Sequence, residues 1–175
     1  MISKLAVILI GQFRTFKITN KYLCEFFANK AECVDYYFVT WPTSGGHNTR
    51  YFENVVDVVD SDITDCFQGQ RLIDYRIVPD IAKKHTYYRM AYLSKIAQQL
   101  KKTKELADNF VYDQVVETRP DVYLRSAGDW PIVKPSHYGG HPVEIKNDHA
   151  FINDLYIRAD SATHDIIADR ISEFD

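Results

Sequence analysis

Arg119, Pro120 and Asp121 form the stretch best equipped for chemistry. They follow the β-branched pair Val115-Val116, and Glu117 and Arg125 lie close on either side. Val115 and Val116 favour an extended, buried backbone. Pro120 removes a donor and holds Arg119 near the extended region. So many charges in close succession cannot all be buried, because an unpaired buried charge is prohibitively costly. They are expected to line the carboxyl edge of a sheet, where open α/β sheets bind ligands. Arg119 presents a fixed fork of donors that suits phosphate or carboxylate. Asp121 presents oxygens that suit a hard divalent cation or a sugar hydroxyl. Phosphate together with a metal is the first chemistry to expect of this corner.

A second dense stretch is Asp148-His149-Ala150-Phe151-Ile152-Asn153-Asp154, where carboxylates and an imidazole flank a short apolar run. Aspartate and histidine can both take the proton of an attacking hydroxyl. Capping and surface roles are the plainer alternative.

These groups need elements to position them. Residues 5–10 are an apolar run of strand length, as expected of a central parallel strand covered on both faces. Gly11 frees the following turn from Cβ restriction, so that backbone amides can approach a ligand. Gln12 and Arg14 then stand at the carboxyl edge; an ordinary strand-to-helix turn with a solvated Arg14 is the competing reading. Residues 20–30 carry Tyr22, Leu23, Phe26 and Phe27 at helical spacing. Residues 34–41 are aromatic and β-branched, a second strand ended by Pro42. Trp41 closes it on the same edge, where it could stack on a base, wall a pocket or simply fill the core.

Residues 43–51 read as a mobile loop, and residues 51–67 as a short helix with connectors. Residues 72–78 read as a strand. From Asp80, a fair helix cap, a long helix is expected to bury Ile81, Tyr88, Tyr92, Ile96 and Leu100. Its later Lys101, Lys102 and Lys104 suit the negative end of the helix dipole. Proline and glycine make residues 127–142 a loop with short strands. Residues 161–174 form a closing helix capped by Ser161, with Ile166, Ile167 and Ile171 on one side. Strands alternating with helices predict an α/β fold with a mostly parallel central sheet flanked by helices.

At 175 residues and 46% hydrophobic, the chain suits one domain over residues 1–175. A formal net charge of −3 argues against a nucleic-acid partner, which needs clustered excess Lys and Arg. Cys24, Cys33 and Cys66 are widely spaced and odd in number, which indicates neither a disulfide framework nor a zinc knuckle and fits a reducing cytoplasm. No apolar run approaches the length of a membrane span.

The run from Tyr112 to Tyr123, with Thr118-Arg119-Pro120-Asp121 at its heart, resembles a segment of small predicted glycosyltransferases of bacteria and phages with the nucleotide-sugar-binding GT-A fold. The opening Lys4 to Phe16, with Gly11-Gln12-Phe13-Arg14, and the late Phe151-Ile152-Asn153-Asp154-Leu155-Tyr156 are similar to two further elements of that family. The resemblance implies a single-domain, Rossmann-like GT-A fold and transfer of a hexose from a nucleoside diphosphate sugar, with UDP the expected nucleotide, to a glycan or other hydroxyl acceptor. It implies that Gly11, Gln12 and Arg14 cradle the nucleotide, and that Arg89, Tyr92 and Lys95 on the long helix contact diphosphate or base. A solvated helix face is the alternative for those three. Asp154 is implied as catalytic base or acceptor anchor, with His149 as an extra metal ligand. GT-A enzymes carry an Asp-x-Asp motif here; Asp121 matches its second acid, the ligand of Mn²⁺ or Mg²⁺, whereas Arg119 replaces the first. A guanidinium can neutralise phosphate without a metal. The competing class is a non-catalytic nucleotide- or sugar-binding protein that retains the fold, and a nucleotidyltransferase is a third, for which the opening loop is a poor copy.

Overall fold

The computed structural model describes residues 2–44, 55–81, 86–121, 137–138, 141–142, 151–153 and 156–171. In chain order the elements are β1 (Ile2–Gly11), α1 (Phe16–Ala28), β2 (Ala31–Thr40), β3 (Thr43–Ser44), β4 (Val56–Asp57), α2 (Asp60–Cys66), β5 (Arg71–Ile77), α3 (Thr86–Ala107), β6 (Gln114–Thr118), β7 (His137–Tyr138), β8 (His141–Pro142), β9 (Phe151–Asn153), β10 (Tyr156–Ala159) and α4 (Ser161–Ile171).

Six strands make the main sheet in the order β5-β2-β1-β6-β10-β9. β5, β2, β1 and β6 are parallel, and β10 runs antiparallel to both β6 and β9. The fold is therefore α/β, with a mostly parallel sheet flanked by helices. β3 pairs with β4 and β7 with β8 in separate two-stranded ladders.

β1 is buried from Leu5 to Gly11, as a central strand must be. Its alternate residues serve two cores. Leu5, Val7 and Leu9 pack with Phe13, Phe16, Leu23 and Phe27 at α1 and with Ile63 of α2. Ala6, Ile8 and Ile10 pack with Leu93 and Ala97 of α3 and with Tyr112. The crossover through α1 carries the chain from β1 to β2, and the one through α3 carries it back past β1 to β6. Right-handed crossovers in opposite directions put their helices on opposite faces of the sheet.

Several expectations shift. The first helix begins at Phe16, because that side chain is fully buried and anchors its start. The expected stripe flanks the centre of α3's buried face: Ile81, Ile96 and Leu100 pack partly buried against the core. Leu93, Ser94, Ala97 and Lys101 are buried, whereas Tyr92 is 37% exposed at the stripe's edge. Asp80 does not cap α3, which begins at Thr86; it pairs instead with Arg89. In α4, Ile166 is exposed while His164, Ile167 and Ala168 are buried. The cap there is Asp160, whose Oδ1 accepts the Thr163 amide at 2.8 Å, and Ser161 turns inward. Cys24, Cys33 and Cys66 are free. Among the described residues no helix is long and apolar enough to cross a membrane.

Candidate anion-binding rim at the carboxyl edge

The sheet's order reverses at β1: the chain first builds outward to β2 and β5, then returns to β6 on the other side. Neighbouring parallel strands whose connections leave in opposite directions open a crevice at their carboxyl ends. Here the turn after β1 and the corner after β6 flank that crevice.

Gly11 sets the path of that turn through its backbone angle. Its φ of +131° is one that side-chain-bearing residues rarely adopt, and a Cβ there would stand 3.5 Å from Pro120 Cδ and 3.9 Å from Met90 Cε. Arg14 also has positive φ, at 25°. For a residue with a Cβ this is uncommon and tends to mark turns and functional sites. Thr19 Oγ1, in the first turns of α1, donates to the Pro120 carbonyl at 2.6 Å and ties the corner to α1.

Charge converges on Asp121. Arg119 donates from Nε to Asp121 Oδ1 at 2.8 Å and from Nη2 to Oδ2 at 2.6 Å, a two-point match of planar groups. Arg14 Nη1 stands 3.5 Å from the same Oδ2, and Arg14 Nε donates to Gln12 Oε1. Gln12, Arg14, Arg119 and Asp121 thus form one cluster, drawn from segments more than a hundred residues apart in sequence.

Trp41 extends the rim over β2. Its ring lies 6.3 Å from Tyr92 with planes 9° apart, and the Arg89 guanidinium sits 5.0 Å from its centroid. Arg89 Nη2 pairs with Asp80 Oδ1 at 2.7 Å, while its Nε is buried without a hydrogen-bond partner among the described residues. Trp41 is only 2% exposed, so it walls the rim and offers no open face to a base. Lys95 does not join the others: it pairs with Asp169 of α4. That partner holds the Asp169 carboxyl below the usual range, with burial opposing.

Asn153 arrives on the same edge by register. It is level with Tyr156 of β10, which is level with Thr118 at the end of β6. Two strand spacings put it about 10 Å across the sheet from that end. Asp154 and His149 lie outside the described residues, as does Arg125.

The fit of a divalent cation can be tested on Asp121. Both of its oxygens accept from guanidinium, and among the described residues no group of three or more His, Cys, Asp or Glu could hold a metal. As arranged, both Asp121 oxygens are engaged by guanidinium, and a cation would need at least one of them released.

Behind the rim lies a buried polar network that the sequence reading missed. Glu117 belongs to it and not to the exposed edge: it is 4% exposed, accepts Ser94 Oγ at 2.7 Å and lies 3.2 Å from His164 Nε2. Lys101 is fully buried and lies 2.9 Å from Glu105 Oε2 and 3.1 Å from Asp165 Oδ1; it also donates to Ser161 Oγ. Glu105 in turn accepts the Tyr112 amide at 2.9 Å and Ser161 Oγ at 2.7 Å. Burial works against a charge on His164, but the carboxylates of Asp165 and Glu117 outweigh it and raise its pKa. The His164 Nδ1 to Asp165 Oδ1 distance of 3.9 Å is too long for a hydrogen bond, so that attraction acts through space. One signal was present in sequence: Lys101 and Glu105 are spaced to pair on a helix.

No protein-family model and no curated protein matches this chain.

A separate cleft of about 320 Å³ lies between α1 and α2, lined by Asn20, Cys24, Glu25, Asp65 and Cys66 among others. Its lining cation, Lys21, lies 4.0 Å from Glu25, and it shares no residue with the rim. The rim, with converging guanidinium groups at the switch in strand order, is the better candidate.

Proposed function

We propose that this chain is a glycosyltransferase of the GT-A type. It moves a hexose from a nucleoside diphosphate sugar, with UDP as the expected nucleotide, to a hydroxyl of a glycan or other small acceptor. The observation that supports this most is the pair of guanidinium groups, Arg14 and Arg119, facing one carboxylate at the point where the strand order reverses. In the proposed reaction the acceptor hydroxyl gives its proton to a base and its oxygen bonds to the anomeric carbon, the bond from that carbon to the diphosphate oxygen breaks, and the diphosphate leaves with the bonding electrons. Charge that grows on it falls to Arg14 and Arg119, fixed donors that need little rearrangement. Arg89 borders the same rim, with one buried donor that has no partner among the described residues. Asp154 is proposed as the base or acceptor anchor, from the resemblance of its segment alone.

Calorimetry with UDP and GDP, in chelator and again with Mn²⁺, tests the donor site. Binding of one nucleotide is expected, and none under either condition removes the proposal. Enhancement by Mn²⁺ that disappears in Asp121→Asn would identify Asp121 as a metal ligand once it has left Arg119. The closed Arg119–Asp121 pair favours one further reading, a binding protein that keeps the fold without turnover. A transferase releases sugar slowly from its donor when no acceptor is present, whereas a pure binder returns the donor intact.

A further inference from the structure

We propose that Asp121 is a built-in competitor for the anion site that it closes. The inference rests on the reading that this rim takes a diphosphate, and it adds how access to the site is controlled.

The Arg119 fork binds two oxygens of one planar group, at 2.8 and 2.6 Å, with Arg14 Nη1 3.5 Å from the second oxygen. A phosphate presents the same pair of oxygens to such a fork. Arg14 and the backbone before the carboxylate have anchors of their own. Arg14 is tied to Gln12, the Pro120 carbonyl is held by Thr19, and the turn at Gly11 abuts Pro120. All three side chains keep a solvent-facing side, with 21%, 37% and 15% exposure for Arg14, Arg119 and Asp121. An incoming anion meets a prepared cationic frame whose place is already taken. To bind, it exchanges with Asp121.

The sign of the effect separates this role from others. An aspartate that holds a metal or orients a donor weakens ligand binding when its charge is removed. A competitor strengthens it. The frame stays, and the cost of breaking the internal pair vanishes.

The probe is inorganic pyrophosphate, titrated by calorimetry in chelator into the wild type, Asp121→Asn, Asp121→Ser and Arg119→Gln, with a circular dichroism melt of each. Both Asp121 variants are expected to bind about tenfold tighter than wild type, in line with loss of one charged hydrogen-bonded pair, and Arg119→Gln to bind more weakly. Pyrophosphate binding to both Asp121 variants no tighter than to wild type overturns the proposal. So does loss of folding in both, which would make Asp121 a structural anchor. UDP titrated in the same series separates this inference from the function above. Tighter pyrophosphate binding with no nucleotide binding in any variant keeps the competitor and removes the nucleotide-sugar reading. Nucleotide binding that Asp121→Asn leaves unchanged, with unchanged pyrophosphate binding, does the reverse.

Discussion

The imidazole Nε2 of His164 lies 3.2 Å from Oε2 of Glu117, and both side chains are sealed from solvent. One sits on the closing helix and the other on the strand that ends in the Arg-Pro-Asp corner. The pair therefore joins the last helix to the strand that carries the rim.

That pair makes stability depend on pH in a definite direction. With its folded-state pKa raised, His164 binds its proton more tightly in the folded chain than in the unfolded one. Its contribution is fully present below the ordinary histidine value of about 6.5 and is lost as pH rises through the folded value. Urea unfolding of the wild type should show stability falling above that ordinary value relative to His164→Gln. Parallel curves for the two proteins would show that the imidazole titrates alike in both states.

Lys101 should be costly to replace. It is fully buried between Glu105 and Asp165, and removing it leaves their charge without its nearest cation. Lys101→Met is expected to lose about 3 kcal/mol in denaturant unfolding, as for other buried pairs broken from one side. A loss under about 1 kcal/mol would place the pair with solvated surface bridges instead.

Gly11→Ala tests the turn. The added Cβ is at ordinary contact distance from Pro120, so space is not the obstacle; the backbone angle is. About 1–3 kcal/mol of destabilisation is expected in thermal or urea unfolding, with weaker anion binding. A variant as stable as wild type and equally able to bind would mean that the turn relaxes to another conformation at no cost.

Arg119→Lys and Lys95→Gln form a contrasting pair. Lysine keeps the charge at 119 but loses the fork, so UDP affinity should drop about tenfold. Lys95 is occupied by Asp169, and its replacement should leave UDP affinity unchanged. Calorimetry that ranks Lys95 above Arg119 would move the nucleotide site along α3 towards α4.

Much of the sheet was legible in the chain. The apolar run of β1, the aromatic β2 and the short β5 and β6 carry local patterns of strand length, and the Arg-Pro-Asp corner follows the end of β6. The long helix was legible too, and Ile96 and Leu100 do face the core, but the centre of its buried face was not read. Apolar spacing suggested a stripe through Tyr92, whereas packing buried a line that includes Ser94 and Lys101, because polar partners waited there on α4 and β6.

Sequence alone determined what is local: strand and helix periods, the turn that needs a glycine, and the charged corner that follows the β-branched run. Tertiary structure alone decided what depends on distant neighbours: the position of β10 between β6 and β9, the reach of Arg14 to Asp121, and the burial of Glu117, Lys101 and His164. The physical reason is that a backbone pattern is set by residues a few positions apart, while a charge is buried or exposed according to which partner the fold brings to it.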